Sequence, residues 1–230
     1  MLERYNPILS TIRSICPTAH IAGGAVRDTL LERPIRDVDL FLDADCTDEA
    51  AKLLRSQHGF VKVGEWKNYE MFSDPAVKRV AKFEKADETT PVCLIGLHYP
   101  SDTYYDEPRS SLGMQFNLSR FDFGICMAGW DGNEVYTAPE YRRDLEAKTF
   151  TLCRADDQPQ FNYSMARFLK MTADRYAGWR LIVPAAFEHL ARQNGTSRRL
   201  WQRSVWVDDE FCLEFPSGGL VEQVLTPKPR

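Results

Sequence analysis

The stretch IAGGAVRD at residues 21–28, followed by RPIRDVDLF at residues 33–41, decides the fold. An apolar strand that ends in two glycines, Gly23 and Gly24, lets the backbone approach a bulky anion closely. The helix predicted over residues 25–31 would point its free N–H groups at that anion. The pattern therefore predicts a phosphate-binding turn, although it is neither a GxxxxGKS/T loop nor a GxGxxG fingerprint.

Asp37 and Asp39 follow this turn at the i, i+2 spacing of a strand, which places both side chains on one face. Their neighbours Val38, Leu40 and Phe41 are apolar, so carboxylates without partners would be costly there. Two carboxylates on one face can share divalent cations, and hard oxygen ligands select Mg²⁺ or Mn²⁺ over Zn²⁺. We therefore predict that both aspartates bind metal and are catalytic in two-metal phosphoryl transfer.

The complete string, GGxVRD followed by a leucine pair, RP and DxD, resembles the head of the class II CCA-adding enzymes and bacterial poly(A) polymerases. These enzymes belong to the polymerase-β nucleotidyltransferase superfamily. The resemblance implies that Gly23, Gly24 and Arg27 hold the β- and γ-phosphates of a nucleoside triphosphate. Arg27 could equally pair with Asp28, and we expect Asp28 to be a structural partner of an arginine rather than a metal ligand.

Two later segments extend the resemblance. The sequence RFDF at residues 120–123 is similar to the family's RRDF motif, which contacts the nucleotide sugar near the catalytic acids. The sequence SMARFLK at residues 164–170 lies where the family has a helix that reads the incoming base. The resemblance implies that Asp122 is a third catalytic acid, the alternative being a buried hydrogen-bonding role. It also implies that Arg120 and Arg167 contact the sugar or the base.

The chain departs from the family pattern at several of these positions. Phe121 stands where the second arginine of RRDF is expected, and Gly124 and Cys126 replace the usual Thr-x-Asn. Ser164 stands where the family has a base-reading aspartate, which leaves Arg167 alone. These departures leave the base preference and the acceptor open.

The charge distribution bears on the acceptor. The chain has 230 residues and a formal net charge of −4, which argues neither for nor against a nucleic-acid partner. The segment from Tyr163 to Trp206 differs, because it contains eight basic and two acidic residues. Interleaved aromatic residues, among them Tyr176 and Trp179, are typical of nucleic-acid contact, although a solvated helical face with core aromatics explains the same pattern.

The sequence predicts no membrane partner and a cytoplasmic location. No apolar run approaches the roughly 18 residues of a membrane span, and the mixed, polar start of the chain does not resemble a signal peptide. The six cysteines are scattered without a CxxC pair, which excludes the familiar zinc spacings and favours a reducing compartment.

We expect an α+β fold. A polymerase-β-like nucleotidyltransferase head at residues 1–155, a mixed sheet with flanking helices, would precede a small, mostly helical, neck-like domain at residues 156–230. Strands are predicted near 60–64, 69–72, 78–84, 91–97, 121–128 and 134–136, helices at 139–147, 163–177 and 183–193, and a loop at 100–112.

These observations predict a metal-dependent nucleotidyltransferase. It would transfer a nucleoside monophosphate from a nucleoside triphosphate, ATP or CTP, to an RNA 3′ hydroxyl of a tRNA-like acceptor and release pyrophosphate. One alternative is a nucleotidyltransferase that modifies a protein or a small molecule. Another is a catalytically silent module that binds a nucleotide or RNA.

Overall fold

The structure is a computed structural model, and it describes residues 1–67, 74–98, 109–193, 203–207 and 210–215. The strand predicted at 69–72 lies outside the described residues, as does most of the loop predicted at 100–112. The last residues of that predicted loop are helical, because helix α4 begins at Arg109.

Seven helices and eleven strands are described. The helices are α1 (Asn6–Arg13), α2 (Gly24–Leu30), α3 (Thr47–His58), α4 (Arg109–Leu118), α5 (Pro139–Ala147), α6 (Gln158–Thr172) and α7 (Glu188–Gln193). The strands are β1 (His20–Ala22), β2 (Val38–Asp43), β3 (Val61–Lys67), β4 (Val77–Lys85), β5 (Glu88–Leu97), β6 (Ala128–Trp130), β7 (Val135–Thr137), β8 (Thr149–Thr151), β9 (Arg180–Pro184), β10 (Arg203–Val207) and β11 (Glu210–Phe215).

The chain packs into two compact units. The first comprises Met1–Arg120 and Cys126–Thr137, and the second comprises Phe121–Ile125 and the chain from Ala138 onward. These units alternate along the sequence, so no single boundary in the chain separates them. The domain boundary near residue 155 stays a prediction.

The first unit is built on a seven-stranded mixed sheet in the order β3-β4-β5-β2-β1-β6-β7. Strands β2 and β5 are parallel, and the other neighbouring strands are antiparallel. Helix α2 contacts β1, β2 and β6, and α3 contacts β3 and β5. This arrangement confirms the predicted α+β fold with a central mixed sheet and flanking helices.

Strand β2 shows why the sheet positions the candidate site. Val38, Leu40 and Leu42 alternate along it and are fully buried, which forms the core face. Leu40 pairs in parallel register with Leu94 of β5, another fully buried residue. The residues between them, Asp39 among them, therefore point to the opposite face.

The second unit contains a four-stranded sheet in the order β10-β11-β9-β8. Its core surrounds the fully buried Phe150, whose ring makes edge contacts to four aromatic rings. The four are Phe123, Phe168, Tyr176 and Trp179. Tyr176 and Trp179 are buried, so these two aromatic residues belong to the core rather than to a nucleic-acid surface.

The expectation of mostly helical structure beyond residue 155 needs correction. The helix predicted at 163–177 overlaps α6, which begins at Gln158 and ends at Thr172. The helix predicted at 183–193 begins as strand β9, and only its last six residues form α7. The apolar run Leu181-Ile182-Val183 favours a strand, and Pro184 cannot lie in a helix interior. Strands β10 and β11 add a hairpin that pairs with β9.

The strand predicted at 121–128 is also wrong in its position. Residues Gly124–Cys126 form a single 3₁₀ turn, and strand β6 begins only at Ala128. Within the part of the chain that the structure describes, no helix is both long and apolar enough to cross a membrane.

Candidate functional site

The glycine pair forms the predicted turn between β1 and α2. Gly23 has φ +76°, a backbone conformation that only glycine adopts without strain, and its N–H donates to the carbonyl of Ala128 at 2.8 Å. A Cβ on Gly24 would lie 3.9 Å from Asp37 Oδ1 and 3.7 Å from Arg27 Nη2. The turn and the first candidate carboxylate are therefore adjacent in space.

The two candidate metal ligands lie at the start of β2. Asp37 precedes the first strand residue and is exposed, whereas Asp39 is the second strand residue and is half-buried. Because β2 buries Val38 and Leu40 on its other face, both aspartates belong to the more open face. The structure thus brings together Gly24, Asp37 and Asp39.

Cys93 is a member of this region that the sequence reasoning missed. It pairs with Asp39 in the parallel register of β2 and β5. Burial raises the pKa of the Cys93 thiol to about 12, and the negative charges of Asp39 and Asp37 add to the shift. The thiol therefore stays protonated at neutral pH. No sequence signal identifies Cys93, because its position beside Asp39 depends on the register of β2 and β5.

The donor set fits a magnesium ion that is shared with a substrate. Among the described residues, no group of three or more His, Cys, Asp or Glu side chains could hold a metal on its own. Mg²⁺ is usually bound by one or two carboxylates together with substrate phosphates, rather than by an all-protein cage. Asp37 and Asp39 supply such a pair of hard oxygen ligands, so the residues present fit this group.

Arg27 stabilises the glycine turn through hydrogen bonds within the first unit. Its guanidinium donates to Asp28 Oδ1 through Nε at 2.9 Å and to Cys126 Sγ through Nη1 at 3.3 Å. Arg27 and Asp28 are both buried, which agrees with the structural role expected of Asp28. A contact between Arg27 and phosphate stays a prediction.

Arg120 also has a structural partner. Its guanidinium forms a two-pronged ion pair with Asp74, with Nε donating to Oδ2 at 2.9 Å, and it lies over the ring of Phe116 at 5.2 Å. Asp74 is 46 residues away in sequence, so no local pattern could identify it. The contact of Arg120 with a nucleotide sugar stays a prediction.

Asp122, Ser164 and Arg167 meet in the second unit. Ser164 Oγ donates to Asp122 Oδ2 at 2.9 Å, and Arg167 Nη1 donates to Asp122 Oδ1 at 2.6 Å. Asp122 is only 6% exposed. This geometry is that of the buried hydrogen-bonding role, and the catalytic role of Asp122 and the nucleotide contact of Arg167 stay predictions.

Two of the departures from the family pattern have a packing reason. A Cβ on Gly124 would lie 2.7 Å from Asp144 Oδ2 and 3.0 Å from the Glu140 backbone, so no larger residue fits there. Asp144 is fully buried and accepts hydrogen bonds from Ile125 N–H and from two threonine hydroxyls. Cys126 supplies the sulfur that Arg27 contacts.

The fold is similar to those of several solved tRNA-processing enzymes. An apo form of a "tRNA-processing enzyme" has 20% sequence identity and a TM-score of 0.52, with 84% of this chain and 46% of that chain covered. A "CCA-adding enzyme with CTP" has 17% identity and a TM-score of 0.52, with 84% and 42% covered. The corresponding complex with ATP has 15% identity, the same TM-score and the same coverage. The chain spans less than half the length of these structures, and the likeness shows the nucleotidyltransferase-like fold.

A protein-family model matches a large part of the sequence. The model is described as "Gabija anti-defense 2 family protein", and it matches residues 7–148, which is more than half of the chain. The matched range includes the glycine turn, Asp37, Asp39 and Asp122.

Proposed function

The chain belongs to the Gabija anti-defense 2 family, and from this membership and the geometry above we propose that it is a nucleotidyltransferase. It joins the α-phosphate of a nucleoside triphosphate to an acceptor hydroxyl and releases pyrophosphate. Fold alone does not assign an activity, so the proposal depends on the side chains of the β1–α2 turn and of β2.

The observation that carries the proposal is the approach of the glycine turn to the carboxylates. Asp37 Oδ1 lies 3.9 Å from the position of a Cβ on Gly24, and Asp39 lies on the same face of β2. Phosphate groups need such a bare backbone surface for close approach, and a divalent cation joins them to neighbouring carboxylates. The arrangement therefore supports binding of a metal–triphosphate complex.

Asp37 and Asp39 would hold Mg²⁺, or Mn²⁺, together with the phosphates. When bound, the metal neutralises phosphate charge and lowers the pKa of the attacking hydroxyl. The residues of the chain supply position. Gly24 leaves room for the terminal phosphates, and Arg27 keeps the turn in place through Asp28 and Cys126.

The transfer is an in-line displacement at the α-phosphorus. The acceptor oxygen forms a bond to phosphorus, the bond to the bridging oxygen breaks, and that oxygen's electron pair leaves with pyrophosphate. The hydroxyl proton passes to water. The two aspartates contribute by orienting the reacting phosphate and by countering charge, which are the main sources of catalysis in phosphoryl transfer.

For the acceptor, we propose an RNA 3′ hydroxyl, with ATP or CTP as the nucleotide. The structures with the same fold are named as tRNA-processing and CCA-adding enzymes, and two of them contain CTP or ATP. Ser164 and Arg167, at the positions that read the base in the resembling enzymes, are both bonded to Asp122. Base selection in this chain would therefore differ from that of CCA addition.

A second acceptor class follows from the family description. A family named for countering Gabija defence would have its target within that defence system. Nucleotidyl transfer to a protein of the system would serve such a role. This candidate shares the nucleotide site and differs only in the acceptor.

The experiment compares three forms of the purified protein. Wild type, Asp39→Asn and Asp43→Asn are incubated with each α-labelled nucleoside triphosphate, Mg²⁺ and either total RNA or purified Gabija proteins. Asp43 is the last residue of β2 and lies on the same face as Asp39, four residues further along the strand. The variant Asp43→Asn therefore removes one matched negative charge. Label on denaturing gels and pyrophosphate release are measured.

We expect label in RNA for wild type and Asp43→Asn and loss of label for Asp39→Asn. Label in a Gabija protein instead would favour the second acceptor class. Nucleotide binding with no pyrophosphate release from any mixture would contradict nucleotidyl transfer and favour the silent binding module.

A further inference from the structure

Lys82 lies in the same cross-strand row as Asp39. Asp39 of β2 pairs with Cys93 of β5, and Cys93 pairs with Lys82 of β4. Residues paired directly across neighbouring strands point to the same face of a sheet. The side chain of Lys82 therefore rises from the face that carries the candidate metal ligands.

The alternation along β4 supports this orientation. Ala81 and Phe83, the neighbours of Lys82, are buried at 1% and 0% exposure in the core on the other face. Neighbouring strands are about 4.8 Å apart, so the backbones of Asp39 and Lys82 are separated by about 10 Å across the row. A lysine side chain can cross much of that distance toward a group bound at Asp39.

The ammonium group of Lys82 is charged and lies in the field of the site. A hydrogen bond with Glu84 raises the pKa of Lys82, and the Asp37 carboxylate adds a smaller shift in the same direction. The contribution of Asp37 agrees with the placement of Lys82 that the strand register gives.

The ion pair of Lys82 with Glu84 does not commit the lysine to a structural role. It spans 2.7 Å between side chains that are 37% and 51% exposed. Exposed pairs of this kind contribute little to stability, because solvent screens both charges. A multiply charged phosphate can therefore replace the Glu84 carboxylate at small cost.

We propose that Lys82 is a further phosphate-binding residue, which contacts the terminal phosphates of a nucleotide held at Asp37 and Asp39. The inference rests on the proposed function. It adds a cationic side chain on β4, which is separated from β2 by β5. Lysine provides a compact point charge that suits a phosphate oxygen. During transfer, negative charge grows on the departing pyrophosphate, and Lys82 stabilises that charge.

Lys62 provides a matched control. It lies on β3 of the same sheet, is 38% exposed, and forms an ion pair with Glu65 at 2.7 Å. Lys62 pairs with Phe83 rather than with Lys82, so its side chain points to the face of the sheet opposite Lys82. The variants Lys62→Met and Lys82→Met therefore remove equally exposed, equally paired ammonium groups from different faces.

The test measures binding of tripolyphosphate with Mg²⁺ to the full chain by calorimetry. We expect Lys82→Met to weaken binding at least about tenfold, because one hydrogen bond to a charged group is lost. We expect Lys62→Met to bind within about twofold of wild type. Lys82→Arg, which keeps a cation, should recover part of the affinity.

Equal affinity of Lys82→Met and wild type would overturn the inference and leave the proposed function intact, as long as wild type transfers nucleotide. Equal losses in Lys62→Met and Lys82→Met would also overturn it, because the effect would then be one of net charge. If wild type binds no tripolyphosphate, the inference fails, and the transfer assay decides separately on the proposed function.

Discussion

Arg167 donates a hydrogen bond to Asp122 across 2.6 Å, although 45 residues separate them in sequence. Ser164, one turn earlier on α6, donates to the other oxygen of the same carboxylate. Both oxygens of a buried acid are therefore bonded to side chains of one helix. Breaking such a network leaves a buried charge with fewer partners, which costs more than the bond itself.

We predict that removal of either donor destabilises the fold. Ser164→Ala should lower the free energy of unfolding by about 1 kcal/mol and Arg167→Met by about 2 kcal/mol, since Arg167 is partly exposed. Because both donors share Asp122, the double variant should depart from the sum of the two losses. Urea unfolding of the four forms measures this coupling. Lys170→Met, an exposed change on the same helix, should have almost no effect, and a similar loss there would contradict the network.

The two candidate roles of Asp122 have different signatures. If Asp122 acts through hydrogen bonds, Asp122→Asn should lower stability and reduce nucleotidyl transfer only in part. Asp37→Ala and Asp39→Ala should abolish transfer with stability close to that of wild type, because both side chains lie on the more open face of β2. Transfer rates and urea midpoints of the three variants check this. Complete loss of transfer by Asp122→Asn at unchanged stability would assign Asp122 to catalysis instead.

The two glycines of the turn should respond in opposite ways to alanine. Gly23 has φ +76°, so Gly23→Ala should cost about 1–3 kcal/mol of stability. Gly24 lies in the first turn of α2, and a Cβ there makes only ordinary contacts. Gly24→Ala should therefore leave stability unchanged or raise it by up to about 1 kcal/mol, and should weaken nucleotide binding. Thermal unfolding and nucleotide titration of both variants measure the contrast. If Gly24→Ala binds nucleotide as tightly as wild type, the phosphates do not bind at this turn.

Metal and nucleotide should bind together rather than separately. Two carboxylates hold Mg²⁺ weakly, and the phosphates complete its coordination. The thermal midpoint should therefore rise with Mg²⁺ and ATP or CTP together, and much less with either alone. Asp39→Asn should lose the joint shift and Asp43→Asn should keep it. An equal shift from Mg²⁺ alone would indicate a complete protein site at a different place.

The sequence could predict what short-range patterns control. The β1–glycine–α2 turn and β2 were predictable because their apolar spacing and glycines act within a few residues. The neighbours of the site were not, because the row from Asp39 to Lys82 depends on the register of three strands. The pairing of Arg120 with Asp74 spans 46 residues and has no local signature. Beyond residue 155, the apolar run of β9 and Pro184 are local signals for a strand, whereas the pairing of β9 with β8 and β11 is long-range and has no local signature.

A buried histidine gives a prediction for the pH dependence of stability. His20 is fully buried, its Nδ1 faces the carbonyl of Thr18 at 2.8 Å, and its Nε2 faces the Asn117 amide nitrogen at 3.0 Å. A carbonyl only accepts, so Nδ1 carries the proton and Nε2 accepts from Asn117. Burial, the largest cause, lowers the pKa of His20 to about 4. As the pH falls, the imidazole of His20 is therefore protonated in the unfolded chain before it is protonated in the folded protein.

The fold should lose stability as the pH falls from about 6.5 toward 4, because the unfolded state then takes up a proton that the folded state excludes. At pH 5 the loss should be about 2 kcal/mol relative to pH 7.5. His20→Gln should remove this part of the pH dependence, as measured by urea unfolding at several pH values. His58→Gln is the control, because His58 is only half-buried, although burial lowers its pKa as well. An unchanged pH profile in His20→Gln would show that folded His20 takes up its second proton over the same pH range as the unfolded chain, and the amide oxygen of Asn117 would then accept from Nε2–H.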